Sequence, residues 1–165
     1  MATNSIGVAP RVLGQPERWW EDLEVGDIVQ GPGMTVTDAH LVSWAGLTGD
    51  IVSLHLDEEY ASTTQFGQRI AHGPFTLSLV LGLITQTGYF TNVVAWLGLD
   101  EVRAQRPVVI GDTLRPEAEL VTARPTKKDD QGIWTLSYRA VNQKGEIVMT
   151  FQSSFMVRRR ANPDA

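Results

Sequence analysis

HGPFTLSLVLGLITQTG, residues 72–88, is the stretch on which the fold turns. From Phe75 to Ile84 it is apolar nearly all round, broken only by Thr76, Ser78 and Gly82. A helix of that composition is buried on most of its sides, not laid on a surface. Its start is marked as well. Gly73 suits the N-cap and Pro74 the first helical position, where a missing N–H is no loss.

Downstream of Tyr89 the pattern changes to sheet. TNVVAWLGLDEVR, DTLRPEAELVTARP, GIWTLSYRAVNQ and GEIVMTFQSSFMVR read as strands. In the third, Trp134, Leu136, Tyr138 and Ala140 alternate with Ile133, Thr135, Ser137 and Arg139, the period of a half-buried strand. Asn142-Gln143-Lys144-Gly145 reads as a tight hairpin turn. Lys127 to Gly132 reads as a longer hairpin loop. Upstream, DIVQGPGMTVT (27–37) is an interrupted strand, and Thr37 caps a helix from Asp38 toward Leu47 that Thr48 and Gly49 close. One long buried helix followed by several antiparallel strands predicts an α+β fold, a curved antiparallel β-sheet wrapped around a central helix.

The chain has 165 residues, enough for one domain. Residues 1–18 read as an N-terminal arm, 19–158 as the domain and 159–165 as a loose basic tail. A hydrophobic fraction of 42% and a charged fraction of 20% are those of an ordinary globular protein. The net charge of −5 argues against nucleic acid as the main partner. No run approaches the roughly 20 apolar residues of a membrane span, and the N-terminus lacks a signal-peptide core, so no membrane partner and a cytoplasmic location are expected. There is no cysteine, which removes disulfides, thiolate nucleophiles and cysteine-held metal together.

The histidines are His40, His55 and His72. None forms an HxxxH or HExxH pair, and no metal site is expected. No GxSxG elbow, P-loop or GxGxxG is present. What remains is TGDIVSLHLDEEY (48–60). Asp50 and His55 are five apart, which fits neither a helix face nor a strand face, so they converge only on an irregular loop. Such a loop can bring a carboxylate and an imidazole to one water. On spacing alone, an Asp that caps a helix end and an unconnected His is the simpler reading. At AHGP (71–74), the Gly73 N–H at the positive end of a helix dipole suits a developing oxyanion, or simply starts the helix.

GDIVSLHLDEEYASTTQFGQRIAHGPFTLSLVLGLI (49–84) resembles the hydratase motif of the MaoC-like dehydratases, the (R)-specific enoyl-CoA hydratase family. Asp50, His55, Leu56, Asp57, His72 and Gly73 fall in its register. RPVVIGDTL (106–114) resembles the family's later strand signature, and LEVGDIV (23–29) its opening one. The resemblance covers about residues 19–157. It implies a single hot-dog fold, a homodimer or higher homo-oligomer, an acyl-CoA thioester substrate and no separate cofactor, CoA being part of the substrate. It implies water addition to, or removal from, the C2–C3 bond by the acid–base pair Asp50 and His55, with Gly73 as oxyanion donor. His72 is placed beside it, either supporting the loop and helix start or lining the acyl channel. Thioester hydrolysis on the same fold, or a non-catalytic acyl-CoA-binding subunit, are the alternatives. Val52 and Ser53 stand where the family usually has Asn and Pro. The five tryptophans read as packing or interface residues, and Arg103, Arg106 and Arg115 as surface charge or contacts for CoA phosphates.

Overall fold

The structure, a computed structural model, describes residues 17–160. Most of the arm and tail expected at 1–18 and 159–165 therefore lies outside the described residues. After a turn of 3-10 helix at Trp20–Asp22 come β1 (Ile28–Gln30), β2 (Met34–Thr35), α1 (Asp38–Thr48), α2 (Ser53–Leu56), α3 (Glu58–Ser62) and α4 (Gly73–Thr85). Four long strands complete the chain: β3 (Val93–Ala104), β4 (Thr113–Pro125), β5 (Gln131–Val141) and β6 (Ile147–Arg158). The sheet runs β1-β4-β5-β6-β3, all antiparallel, with β2 also on β4.

The interrupted first strand is two pieces, β1 and β2, broken at Gly31-Pro32-Gly33. Gly31 is required by a close approach, because a Cβ there would meet Pro116 Cγ at 2.6 Å and the Leu83 carbonyl oxygen at 3.1 Å. In β5 the alternation read from the sequence is the burial pattern: Trp134, Leu136, Tyr138 and Ala140 are buried. They join Val80 and Ile84 of α4 and Leu114, Ala118, Leu120 and Phe151 of the neighbouring strands in one core. Each such side chain contributes roughly 1.5–3 kcal/mol by leaving water. The β5–β6 hairpin closes through Asn142, whose Oδ1 accepts from the N–H groups of Lys144 (2.9 Å) and Glu146 (3.0 Å).

One expectation needs correction. Helix α4 begins one residue early: His72 is the N-cap, with extended ψ of 138°, and Gly73 and Pro74 are the first two helical residues. Most of its circumference is covered, as its composition predicts: Phe75, Thr76, Val80, Leu83 and Ile84 are buried, and Leu77, Leu79 and Leu81 are half-buried against the core. Pro74, Ser78, Gly82 and Thr85 form one exposed stripe at helical spacing.

The described end of the basic tail is fastened. Arg159 Nε donates to Glu21 (2.9 Å), the Arg160 N–H donates to the same carboxylate (3.1 Å), and the Arg160 guanidinium pairs with Asp22. Among the described residues no helix is long and apolar enough to cross a membrane.

Candidate active site

The site is built where α1 ends and α4 begins. Thr37 caps α1, its N–H donating to His40 Nδ1 at 3.0 Å, while the His40 ring lies 5.7 Å from that of Phe75, so His40 serves the helix start. At the other end Gly49 takes the left-handed conformation, φ 77°, and its N–H returns to the Ala45 carbonyl at 2.8 Å. Only glycine adopts that turn without strain. It throws Asp50 out of the helix, with the Asp50 N–H on Thr48 Oγ1 at 3.3 Å.

His55 stands on a single helical turn, α2, where an irregular loop was expected. The irregular part is confined to residues 49–52. Ser53 occupies the first position of α2, so the site where proline is usual tolerates a residue with an N–H. The His55 ring is fixed by a bond between Nδ1 and the Ile70 carbonyl oxygen at 2.7 Å. A carbonyl only accepts, so Nδ1 carries the hydrogen and Nε2 is the nitrogen left to take a proton when the ring is neutral.

His72 is wholly buried, and its Nε2 donates to the Asp50 carbonyl oxygen at 3.0 Å. Its ring lies on that of His55, centroids 3.9 Å apart and planes 32° apart. Ile70 and His72 thus hold one member of the expected pair each. The short segment 70–72 that carries them is anchored on the next strand region. The Ala71 N–H donates to the Val108 carbonyl at 2.7 Å, and Ile70 forms a bridge with Val109. Val109 is held in turn by Asp112, whose Oδ2 accepts the Val109 N–H at 2.9 Å. The sequence pointed to Asp50, His55, His72 and Gly73 as candidates but gave no sign of this platform. Ile70, Val108 and Val109 act through main-chain atoms, which leave no side-chain signature.

Beside these groups opens a cleft of ≈ 330 Å³, whose wall includes His55, Gly73, Thr76, Phe66, Arg106 and Met149. This is the lower end of the range for small-ligand sites. Gly73 is exposed and, as the first residue of α4, has an N–H with no carbonyl in its own helix to serve. Asp50 and His72 are not among the residues that line it. Arg106 does line it, its guanidinium 3.5 Å from Glu146; Arg103 and Arg115 do not.

Asp50, His55 and His72 each place one metal-ligand type of atom within 4.8 Å of the others. An ion bound to an imidazole lies in the ring plane, about 2.0–2.1 Å from the nitrogen for zinc. The planes of two rings stacked at 3.9 Å and tilted by 32° meet well beyond that reach, so one ion cannot bind both. The arrangement suits proton traffic better than chelation.

The MaoC like domain family model matches residues 24–141 of the chain. The chain belongs to the MaoC-like domain family. This MaoC-like domain is 34% identical over 111 residues to Protein MaoC of Klebsiella aerogenes, an alignment that takes in 67% of this chain and 32% of that protein. It therefore spans about a third of that relative's length. It is 33% identical over 112 residues to the (R)-specific enoyl-CoA hydratase of Aeromonas caviae, covering 68% of this chain and 79% of that one. Among solved structures it is similar to the unliganded R-hydratase PhaJ1 of Pseudomonas aeruginosa, with TM-score 0.74, 29% identity and coverage of 87% and 88% of the two chains. A Mycobacterium tuberculosis protein described as a double hot-dog fold matches with TM-score 0.76 at 22% identity, over 90% of this chain and 46% of that one. The MaoC-like domain is thus a single hot-dog fold.

Proposed function

We propose that this MaoC-like domain is a hydro-lyase that adds water to, or removes it from, the C2–C3 bond of an acyl-CoA thioester. The observation that carries the reading is the convergence of Asp50 and His55 (with His72, within 4.8 Å) although they share no helix or strand face. His55 is held with Nδ1 on the Ile70 carbonyl, so its Nε2 is the acceptor for a water proton. In the hydration direction that water loses a proton to His55 as its oxygen bonds C3. The electron pair of the C2–C3 double bond moves onto the thioester carbonyl, where the Gly73 N–H meets it, and returns as C2 takes up the proton that His55 removed from the water, which restores the pair to its starting state. Asp50 orients the water and shares its proton. Such acid–base assistance contributes about 100- to 10,000-fold per group. No separate cofactor enters this scheme.

The acyl chain enters through the cleft lined by Phe66, Thr76 and Met149. The domain works as a homodimer. β3 forms one end of the described sheet, and Val94, Trp96 and Leu97 on it are 43%, 58% and 46% exposed, apolar surface at an unpaired edge that a second copy would cover. The test is an assay on a panel of trans-2-enoyl-CoA thioesters in the presence of a thiol reagent. Loss of the enoyl absorbance without free thiol supports hydration. Release of thiol instead would mean thioester hydrolysis, and binding without turnover a non-catalytic acyl-CoA subunit.

A further inference from the structure

We propose that His72 is a positioning residue for the acid–base pair, a role that rests on the hydro-lyase reading. A buried apolar side chain would fill its place without a polar cost, yet the chain puts there an imidazole whose buried Nδ1 has no hydrogen-bond partner among the described residues. The other nitrogen, Nε2, is used: it donates to the Asp50 carbonyl oxygen at 3.0 Å, across 22 residues of sequence. The ring face is used as well, lying at 3.9 Å on the ring of His55. One side chain therefore touches both members of the pair.

Its own position is rigid. The His72 carbonyl accepts from the Thr76 N–H (3.1 Å) and Thr76 Oγ1 (3.3 Å), and the preceding residue is tied to Val108. His72 thus transmits the placement of α4, which also presents the Gly73 N–H, to the turn that carries Asp50. Misplacing a reacting group by about 1 Å can cost on the order of 100-fold in rate. His72 does not line the cleft, so its removal alters turnover more than substrate affinity.

Three substitutions separate the contacts. His72→Gln can place an amide N–H where Nε2 stands, His72→Asn is too short to reach Asp50, and His72→Phe keeps a ring on His55 without the donor. On the best enoyl-CoA of the panel, His72→Asn and His72→Phe are expected to lower kcat about 100-fold with KM changed less than about 3-fold, and His72→Gln to keep kcat within about 10-fold of wild type. In an Asp50→Asn background His72→Phe should cost less than about 3-fold, since its effect runs through Asp50. Equal losses in Gln and Asn variants, or losses that multiply with Asp50→Asn, would overturn the proposal. A readout independent of activity is the 15N imidazole spectrum of the wild-type protein, which should show His72 protonated at Nε2 with a slowly exchanging proton. The Nδ1–H tautomer there overturns the positioning role. A wild type inactive on every thioester but with the expected tautomer sinks the hydro-lyase reading and leaves the Asp50–His72 contact standing.

Discussion

Replacing Asp112 by alanine removes the carboxylate on which the site platform rests. Asp112 is buried, 8% exposed, between the end of the 106–112 segment and the β5–β6 hairpin. Its Oδ2 accepts the Val109 N–H at 2.9 Å and its Oδ1 accepts Gln143 Nε2 at 2.8 Å. Val109 bridges Ile70, and the Ile70 carbonyl holds His55. Two bonds to a charged acceptor contribute roughly 1.5–3 kcal/mol each, and they share one carboxylate, so the sum is an upper bound. A loss of about 2–4 kcal/mol is expected for Asp112→Ala. For a domain of this size each kcal/mol moves the midpoint by roughly 2–4 °C, so melting falls by about 4–16 °C. Asp112→Asn keeps one acceptor oxygen and should lose about half as much. Urea unfolding with a shared m-value, run beside thermal melts, measures both. A loss under about 0.5 kcal/mol for Asp112→Ala would refute the reasoning, because the two donors would then have other partners.

The Tyr138 hydroxyl is buried without a partner among the described residues, and burial pushes its pKa well up. Tyr138→Phe keeps the ring stacked on Phe151, 4.6 Å and 9° away, and should raise stability by about 1 kcal/mol; destabilisation by as much would show the hydroxyl is bonded. At the fastened tail, burial acts to raise the Glu21 carboxyl, but the bonds from the Arg159 side chain and the Arg160 N–H outweigh it and hold it below its usual range. Asp22 is lowered in the same way against burial, by the Trp19 N–H and Arg160. Stability from these depressed carboxylates is present above the unfolded range near pH 4 and lost as pH falls through their folded values. Melting of Arg159→Ala should therefore fall short of wild type at pH 7 and converge with it near pH 3; a constant gap contradicts the pairing. Gly31→Ala drives a Cβ against Pro116 and Leu83 and should cost about 1–3 kcal/mol by denaturation; a neutral result means β1 can shift.

Much of this fold was legible in the residues. The apolar run 75–84 announced α4, and Trp134, Leu136, Tyr138 and Ala140 announced the inner face of β5. The exposed stripe of Pro74, Ser78, Gly82 and Thr85 was in plain sight, but its small residues read as breaks in an apolar helix because composition does not say which side a sheet will cover. The site was half legible. Gly49 gave the turn that frees Asp50, whereas the one-turn helix under His55 is too short for any periodic signal. The bond from His72 to Asp50 joins residues 22 apart, and that from His55 to Ile70 residues 15 apart. Both end on main-chain carbonyls, which every residue type supplies equally.

Steady-state hydration of trans-2-enoyl-CoA thioesters by the wild type, Asp50→Asn and His55→Ala tests the central claim most directly, with melting followed in parallel. Turnover should fall by about 100-fold or more in each variant while the melting midpoint stays within a few degrees of wild type. Folded variants that both hydrate the best substrate at near wild-type rates would contradict the assignment of Asp50 and His55 as the acid–base pair.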